Sequence, residues 1–459
     1  MPEWTIGVPA GATGSAPDWL FLSRDPAIAA RRIRHHSESD AVKWGPFCDQ
    51  LHKLAGFLGA LYQLPPPDIE STRLGAVLPL LGIARQLRGL GREDMIGLLR
   101  MVPMPVAELL DDWFESGPVK AAVGAVGVSG IRQGPRSGGT GFVLLHHLVG
   151  TPRGAIGRWG EGYWRSGPLA LVEALVAQGR LMGVELKTGA TVARIVVKDD
   201  QVTAVVLEGG EEVATPLVLS SADHARTMGS LIDPIWLDPD LMLAVRNIKF
   251  RGSLARVSYA LDGLPAFARP DGGQARTNSD SERPIGTLQL SGKLDQLERG
   301  ADSAKYGRVS DGPFITIRIP SLQWPDFAPA GKHVVVAEVQ WTPWRLREGE
   351  WDGQRREALG EVVTTAIEQV TPGFRALVRS REVLTPTDLE YRYGLTEGAP
   401  SQGELMLDQI LFMRPIARLA QYATPVQGLY LCGAGSHPGP GISGGPGWLA
   451  ARAALRQPN

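Results

Sequence analysis

Through the first 150 residues the apolar positions recur mainly at helical spacing. A short apolar strand, "WLFLS" (19–23), comes first, and Asp25 then caps a helix with Pro26 at its first position. A second helix runs from about Asp40 to Tyr62, with Phe47, Leu51, Leu54, Leu58 and Leu61 near helical spacing, and "PPPD" ends it. Residues 74–132 read as further helices; in "MPVAELLDDWFES" the apolar stripe is Val106, Leu109, Leu110 and Trp113. "RQGPRSGGTG" (132–141) is a loop, and "FVLLHH" (142–147) resumes an apolar run. From about residue 158 the texture changes. "GPLALVEALVAQGRLMG" (167–183) is a helix with Leu171, Ala174, Leu175 and Leu181 available for packing. "VELKTG", "TVARIVVKDD", "QVTAVVLEGG" and "EEVATPLVLSS" then alternate with period two around Asp199-Asp200 and Gly209-Gly210, as in a small β-meander. "PLVLSSAD" (216–223) ends in a helix cap. Residues 231–424 are mixed. "RVSYAL" (256–261), "FITIRI" (314–319) and "HVVVAEVQW" (333–341) alternate as half-buried strands, "REALGEVVTTAIEQVT" (356–371) is an amphipathic helix, and "SDSERPIG" (279–286) is a loop.

The last stretch, "GLYLCGAGSHPGPGISGGPGWLAARAAL" (428–455), reads as an apolar strand, a glycine-rich turn and a helix. Gly433, Gly435, Gly439, Gly441, Gly444, Gly445 and Gly447 fall within fifteen residues. Glycine lets a backbone approach a ligand closely, and Pro446 suits the first turn of a helix. A helix N-terminus carries unpaired amides and partial positive charge, so the turn suits a phosphate or the partly anionic edge of a reduced flavin ring. The plain alternative is a tight connection without a ligand; seven glycines exceed what such a connection needs. A dinucleotide fingerprint G-x-G-x-x-G should open a strand–helix–strand unit of about 30 residues. "GVPAGATG" (7–14) lacks the strand before it and the helix after it, and "GAGSHPG" has the wrong spacing. The expected pyrophosphate-binding half of such a site is therefore missing.

Composition narrows the function classes. The chain has 459 residues, enough for two or more domains, with 43% hydrophobic and 21% charged residues. A net charge of −1 leaves no electrostatic footprint for nucleic acid. Cys48 and Cys432 are the only cysteines, in a helix and an apolar strand, so a disulfide is not expected and a reducing, cytoplasmic setting is. Cys432 reads as a small core residue. "LGAVLPLLGIA" (74–84) falls short of the roughly 20 apolar residues of a membrane span, and the N-terminus has no signal-peptide pattern. Helices near 74–110 are expected to be buried, with a peripheral membrane contact as the alternative. The eight histidines and two cysteines show no metal spacing. His437, in the glycine turn, is the candidate catalytic residue; otherwise it is a loop histidine held by backbone hydrogen bonds. One of His146 and His147 is expected to face inward, and His35 and His36 to lie at a solvated helix end. Asp408 and Arg414 are expected to form a structural pair, and Glu404 a structural role.

Several blocks in order carry a resemblance: "DDWFESGPVKAAV" (111–123), "GPRSGGTGFVLLHHLVG" (134–150), "GPLALVEAL" (167–175), "TGATVARIVV" (188–197), "DLEYRYGL" (388–395), "GELMLDQILFMRP" (403–415) and the C-terminal stretch. Together they resemble the phytoene-dehydrogenase-like flavoproteins of the FAD-dependent amine-oxidase superfamily, of the pyridine nucleotide-disulfide oxidoreductase domain-containing protein 2 type. The resemblance covers nearly the whole chain and implies a mixed α/β fold. An incomplete Rossmann-like FAD-binding domain carrying a β-meander would accompany a substrate domain of mixed sheet and helices. The implied division is 1–157 and 231–424 for the substrate domain, 158–230 and 425–459 for the FAD-binding domain. The cofactor implied is FAD. Val192 would meet the adenine end; Gly433, Ala434 and Gly435 the pyrophosphate and ribityl chain; Gly441, Ile442 and Gly444 the isoalloxazine. The helix from Gly445 would point at the ring's N1/C2=O edge. The sequence departs from the family at Ser166-Gly167-Pro168, at Gly439-Pro440-Gly441, at Trp448-Leu449 and at Gln402. It also looks like the family with its first strand–helix–strand unit removed. The 459-residue chain is accordingly expected to hold FAD weakly or not at all. Two functions follow: an N-terminally truncated FAD-dependent oxidoreductase taking hydride from a C–H of a small apolar or lipid-like substrate, or a flavin-free binding or scaffold subunit. For the second, the alternative is a subunit that completes its site with a protein partner covering the missing unit.

Overall fold

The structure is a computed structural model, and it describes residues 5–9, 19–69, 74–156, 166–266 and 287–456. The 279–286 loop therefore lies outside the described residues. The fold is a mixed one of helices and sheets, in two compact units: Met1–Leu58, Leu90–Glu161 and Arg251–Arg392 form one, Gly59–Gly89, Gly162–Phe250 and Tyr393–Asn459 the other. The strands in chain order are β1 (Thr5–Pro9), β2 (Trp19–Ser23), β3 (Val192–Lys198), β4 (Gln201–Leu207), β5 (Glu212–Ala214) and β6 (Val218–Ser220). They continue with β7 (Leu254–Leu261), β8 (Thr287–Leu290), β9 (Ile315–Arg318), β10 (His333–Gln340), β11 (Val378–Leu384) and β12 (Leu429–Leu431).

The first unit is built on a seven-stranded sheet of order β11-β7-β10-β9-β8-β1-β2. Its pairs are antiparallel except β1–β8. The period-two pattern puts Val257, Tyr259, Val335, Ala337, Ile315, Ile317 and Leu288 on one face, in a core shared with Leu359, Val363 and Ile367 of the Gly353–Val370 helix. The alternate positions Arg256, Ser258, Thr316, Arg318 and Glu338 remain half-buried or exposed. β1, β8 and β11 are additions to the sequence reading. "TIGVP" and "TLQL" are too short to show a period, and "VRSREVL" carries three charges in seven residues. Pro46 lies inside the long Glu38–Leu61 helix without ending it. The buried carboxylate of Asp40 accepts hydrogen bonds from the amides of Glu115 (2.9 Å) and Ser116 (2.8 Å), which fixes the start of the Gly117–Gly127 helix.

In the second unit β3, β4 and β5 form the expected meander, with Val197 paired to Val202 near a turn whose Asp199 and Asp200 both have positive φ. Two expectations are corrected. First, β6 does not continue the meander; it leaves to pair in parallel with β12, Val218 opposite Leu429 and Ser220 opposite Leu431. Second, "VELKTG" is not a strand: among the described residues no neighbouring segment offers it a ladder, and Val184 and Leu186 are about half exposed. The Leu169–Leu181 helix forms as read, yet it buries none of its residues, so the packing expected of Leu175 and Leu181 is absent; Leu175 is 64% and Leu181 83% exposed. The unit's core lies elsewhere, among Ile195, Val197, Val202, Leu429 and Leu431 with Leu241, Met242 and Val245 of the Pro239–Arg246 helix. Among the described residues no helix is long and apolar enough to cross a membrane.

Candidate functional site

The glycine turn follows β12 directly. Cys432 closes the strand end by donating its amide to the Ser220 carbonyl at 2.8 Å. It is free and partly buried, and burial pushes its thiol pKa up, so it behaves as a packing residue.

The first half of the turn, residues 433–438, is packed inward. A Cβ on Gly433 would fall 2.3 Å from Gln402 Oε1 and 2.5 Å from the Ser221 carbonyl; one on Gly435 would fall 2.3 Å from the His224 ring and 2.6 Å from the Gln402 carbonyl. These glycines are required by close approach of neighbouring chain. Gln402 Oε1 accepts the Gly435 amide (3.1 Å) and its Nε2 donates to the Ser221 carbonyl (3.0 Å). The guanidinium of Arg414, 1% exposed, donates through Nε and Nη2 to the Ala434 carbonyl (3.3 and 3.0 Å). Its remaining donors reach the carbonyls of Ser401 (2.6 Å), Gly403 (3.2 Å), Glu404 (3.4 Å) and Gln409 (3.0 Å). Burial lowers its pKa to about 10. The expected Asp408–Arg414 pair does not form. Asp408 lies half exposed and pairs with Lys249, because the guanidinium is turned into the fold toward carbonyls.

His437 belongs to this packed half. Its ring is 2% exposed and sits edge-on to Tyr62, centroids 5.7 Å apart; its own carbonyl accepts the Tyr422 hydroxyl at 3.1 Å. The carbonyls of Leu61, Leu64 and Leu411 lie close enough to favour a ring proton weakly, but neither ring nitrogen closes a hydrogen bond, and burial lowers the pKa to about 4. His224 beside it is pushed lower, to about 3, by burial and then by the Arg414 charge; its Nε2 lies 3.4 Å from Ser436 Oγ. Both imidazoles are neutral at pH 7.

The second half, residues 439–445, opens from a buried Gly439 to an exposed run at 441–444. Gly439, Gly441 and Gly444 hold φ of +112°, +132° and +67°, which only glycine adopts without strain. The amides of Gly441, Ile442 and Ser443 donate to nothing among the described residues, while Ile442 and Ser443 form a turn that directs the Gly444 amide at the Gly441 carbonyl and the amide of Gly445 is taken by Ser443 Oγ at 3.1 Å. Ile442 is 54% exposed, and a Cβ on Gly444 would meet nothing within 4 Å. The Gly445–Ala454 helix starts from this open run, with Pro446 in its first turn. So the structure brings Gly433, Ala434, Gly435, Gly441, Ile442, Gly444, Gly445 and His437 into one turn but divides them between an interior half and an accessible half. Val192 is half-buried at the start of β3, paired with Leu207. His146 and His147 are both buried in the Thr140–Leu148 helix, His147 Nε2 lying 3.1 Å from the Ser129 carbonyl, and belong to the first unit. The sequence reading singled out Gln402 only as a departure from the family, and it missed Tyr422 and the true role of Arg414. One signal was there to use: a lone cation in the apolar run "LFMRPIA".

The chain is 34% identical to the rat pyridine nucleotide-disulfide oxidoreductase domain-containing protein 2, over 97% of this chain and 78% of the relative. It is 24% identical to the lycopene-forming phytoene desaturase of Pseudescherichia vulneris, over 66% of this chain and 56% of that one. A putrescine oxidase whose cofactor binding was redesigned shares its fold, with a TM-score of 0.51 at 12% identity, over 99% of this chain and 80% of that one. No family model matches. On its identity to the rat protein, the chain belongs to the pyridine nucleotide-disulfide oxidoreductase domain-containing protein 2 family, an oxidoreductase family with carotenoid desaturases among its distant relatives.

Proposed function

We propose that the chain is the greater part of an FAD-dependent dehydrogenase and that the open half of its glycine turn receives the flavin ring. The observation that carries this is the run of three unpartnered amides at Gly441–Ser443, just before a helix, with nothing within 4 Å of a Cβ on Gly444. Such a run suits the acceptor-rich pyrimidine edge of a flavin, whose charge on reduction a helix N-terminus stabilises. When bound, FAD would accept hydride at N5 from a substrate C–H. The chain's own part is to orient the ring: Gly441 and Ile442 would supply amides beside the uncrowded Gly444, while Arg414 and Gln402 hold Ala434 and Gly435 so that the bend keeps its shape. His437, buried and neutral, supports the bend from behind, and in this reading it positions residues and transfers no proton. The carotenoid desaturases among the relatives favour an apolar substrate.

The described residues hold only part of the cofactor's cradle. A two-stranded parallel sheet is an unusual end state, because parallel sheets are normally covered on both faces. Here, among the described residues, β6 pairs only with β12, Leu217 and Leu219 are 46% and 38% exposed, and the bare Leu169–Leu181 helix exposes Leu169, Val172, Leu175 and Leu181 by 53–83%. Covering those four side chains would contribute about 4–7 kcal/mol. We infer that a strand–helix–strand segment from outside the described residues, on a partner chain in the simplest case, extends this sheet and carries the pyrophosphate site.

The test is a flavin titration followed by fluorescence and absorbance. The chain alone is expected to bind FAD weakly. Adding the portion of the rat relative that has no counterpart here is expected to give a stoichiometric yellow complex, and Gly444→Val to abolish it. Tight flavin binding by the chain alone would remove the need for a second segment; a complex with that segment that stays colourless would remove the flavin assignment.

A further inference from the structure

A groove of about 230 Å³ lies along the last two turns of the terminal helix, at the opposite end from the glycine turn. Pro65, Tyr422, Tyr430 and Leu449 form its sides, and Arg452 on the helix and Arg456, two residues past the helix's last residue, stand at its mouth. No carboxylate lines it, and neither arginine forms an ion pair among the described residues. Arg452 is held in place over the Trp448 ring, 4.6 Å from the centroid. The sequence keeps the region free of acid: from Gln409 to Asn459 there is no Asp or Glu, although the whole chain has net charge −1. Of the other arginines in that stretch, Arg414 is committed to carbonyls and Arg418 to Asp238.

We propose that this groove is a binding site for a phosphate-ester headgroup, independent of the flavin reading. Two guanidiniums without counter-ions at the mouth of a partly apolar cleft match an anion attached to carbon. The helix C-terminus opposes an anion weakly. Charge-assisted hydrogen bonds from two arginines outweigh that opposition. The volume lies below the roughly 300 Å³ at which pockets begin to enclose whole drug-sized ligands, so the groove takes a headgroup and leaves the rest of the molecule outside. Beside it Trp448 and Leu455 are 51% and 86% exposed, a suitable flank for either a soluble ester or the surface of a bilayer.

Two probes separate these sources: glycerol 3-phosphate by calorimetry, and flotation with phosphatidylglycerol vesicles against phosphatidylcholine vesicles. The wild-type chain is expected to bind at least one of the two anionic probes. The Arg452→Gln/Arg456→Gln variant is expected to bind it at least tenfold more weakly with an unchanged melting temperature. Binding of glycerol 3-phosphate assigns a soluble phosphate ester, and flotation without it assigns a lipid headgroup. Binding of neither probe, equal flotation on phosphatidylcholine, or undiminished binding by the double variant overturns the proposal.

Discussion

Acid should loosen the second unit well before its carboxylates titrate. His224 and His437 are buried beside the glycine turn, with pKa values held down to about 3 and about 4. In the unfolded chain an imidazole titrates near 6.5. Between pH 6.5 and 4 the unfolded state therefore binds protons that the folded state refuses, and stability must fall as pH falls through that window. At pH 5 the gap is about 1.5 pH units for each group, or about 2 kcal/mol each and about 4 kcal/mol together. For a domain of this size that corresponds to a drop of roughly 8–16 °C in melting temperature. Carboxylates such as Asp238 and Glu368, whose pKa values are lowered by hydrogen bonds from backbone amides, respond only at more acid pH. His333 in the first unit, lowered by burial, acts in the same direction, so the comparison must use variants. The assay is thermal unfolding followed by circular dichroism at half-unit steps from pH 7 to pH 5. The wild type should lose stability steadily, and His224→Gln/His437→Asn should flatten most of the slope. A double variant with the wild-type slope would mean that the two rings are protonated or solvated in the fold, and the packed half of the turn would have been misjudged.

Three further outcomes follow from the same geometry. Arg414→Met should lower stability by about 3–5 kcal/mol in denaturant titration, because the carbonyls of Ser401, Gly403, Gln409 and Ala434 lose their donor; relief of the buried charge, about 3 kcal/mol from its lowered pKa, offsets part of the cost. A loss below 1 kcal/mol would show that the turn is held by something else. Gly435→Ala should destabilise more than Gly444→Ala: the first drives a methyl into the His224 ring and the Gln402 backbone, whereas the second meets only left-handed strain of about 1–2 kcal/mol. Equal melting temperatures for the two would deny the division of the turn. Leu175→Lys with Leu181→Lys should leave stability within about 0.5 kcal/mol, since both side chains already face solvent; a larger loss would mean that this face is covered in the isolated chain.

What the sequence revealed depended on whether one segment's pattern decided one segment's structure. The Asp25–Pro26 helix start and the Asp199–Asp200 hairpin are local agreements of cap, turn chemistry and period, and they stand as read. The Leu169–Leu181 helix was also legible, but burial is a property of what covers a helix, and nothing within its own residues reports an uncovered face. β6 shows the same limit. Its three residues look like the last strand of a meander, and only Leu429–Leu431, some 210 residues later, gives it a partner. The glycine turn was found by composition, and its division was not, because whether a glycine faces Gln402 or open space is decided by chain far from it in sequence.

That division bears on what the seven glycines are for. A purely structural turn would need glycine where neighbouring chain leaves no room, and Gly433 and Gly435 meet that description. Gly444 does not. It is held at positive φ, and a Cβ on it would enter empty space, so packing cannot account for it. The bend it closes leaves the amides of Gly441, Ile442 and Ser443 unpaired among the described residues, an arrangement that costs hydrogen-bond energy unless water or a ligand supplies acceptors. Water would serve a connection equally well, but a connection would not also need a buried guanidinium and a glutamine amide holding the carbonyl of Ala434 and the amide of Gly435. In the proposed reading, rigid support behind and free donors in front are the two halves of one device: the first would fix where the second points, and fixed donors are what recognition of a planar, acceptor-rich edge requires.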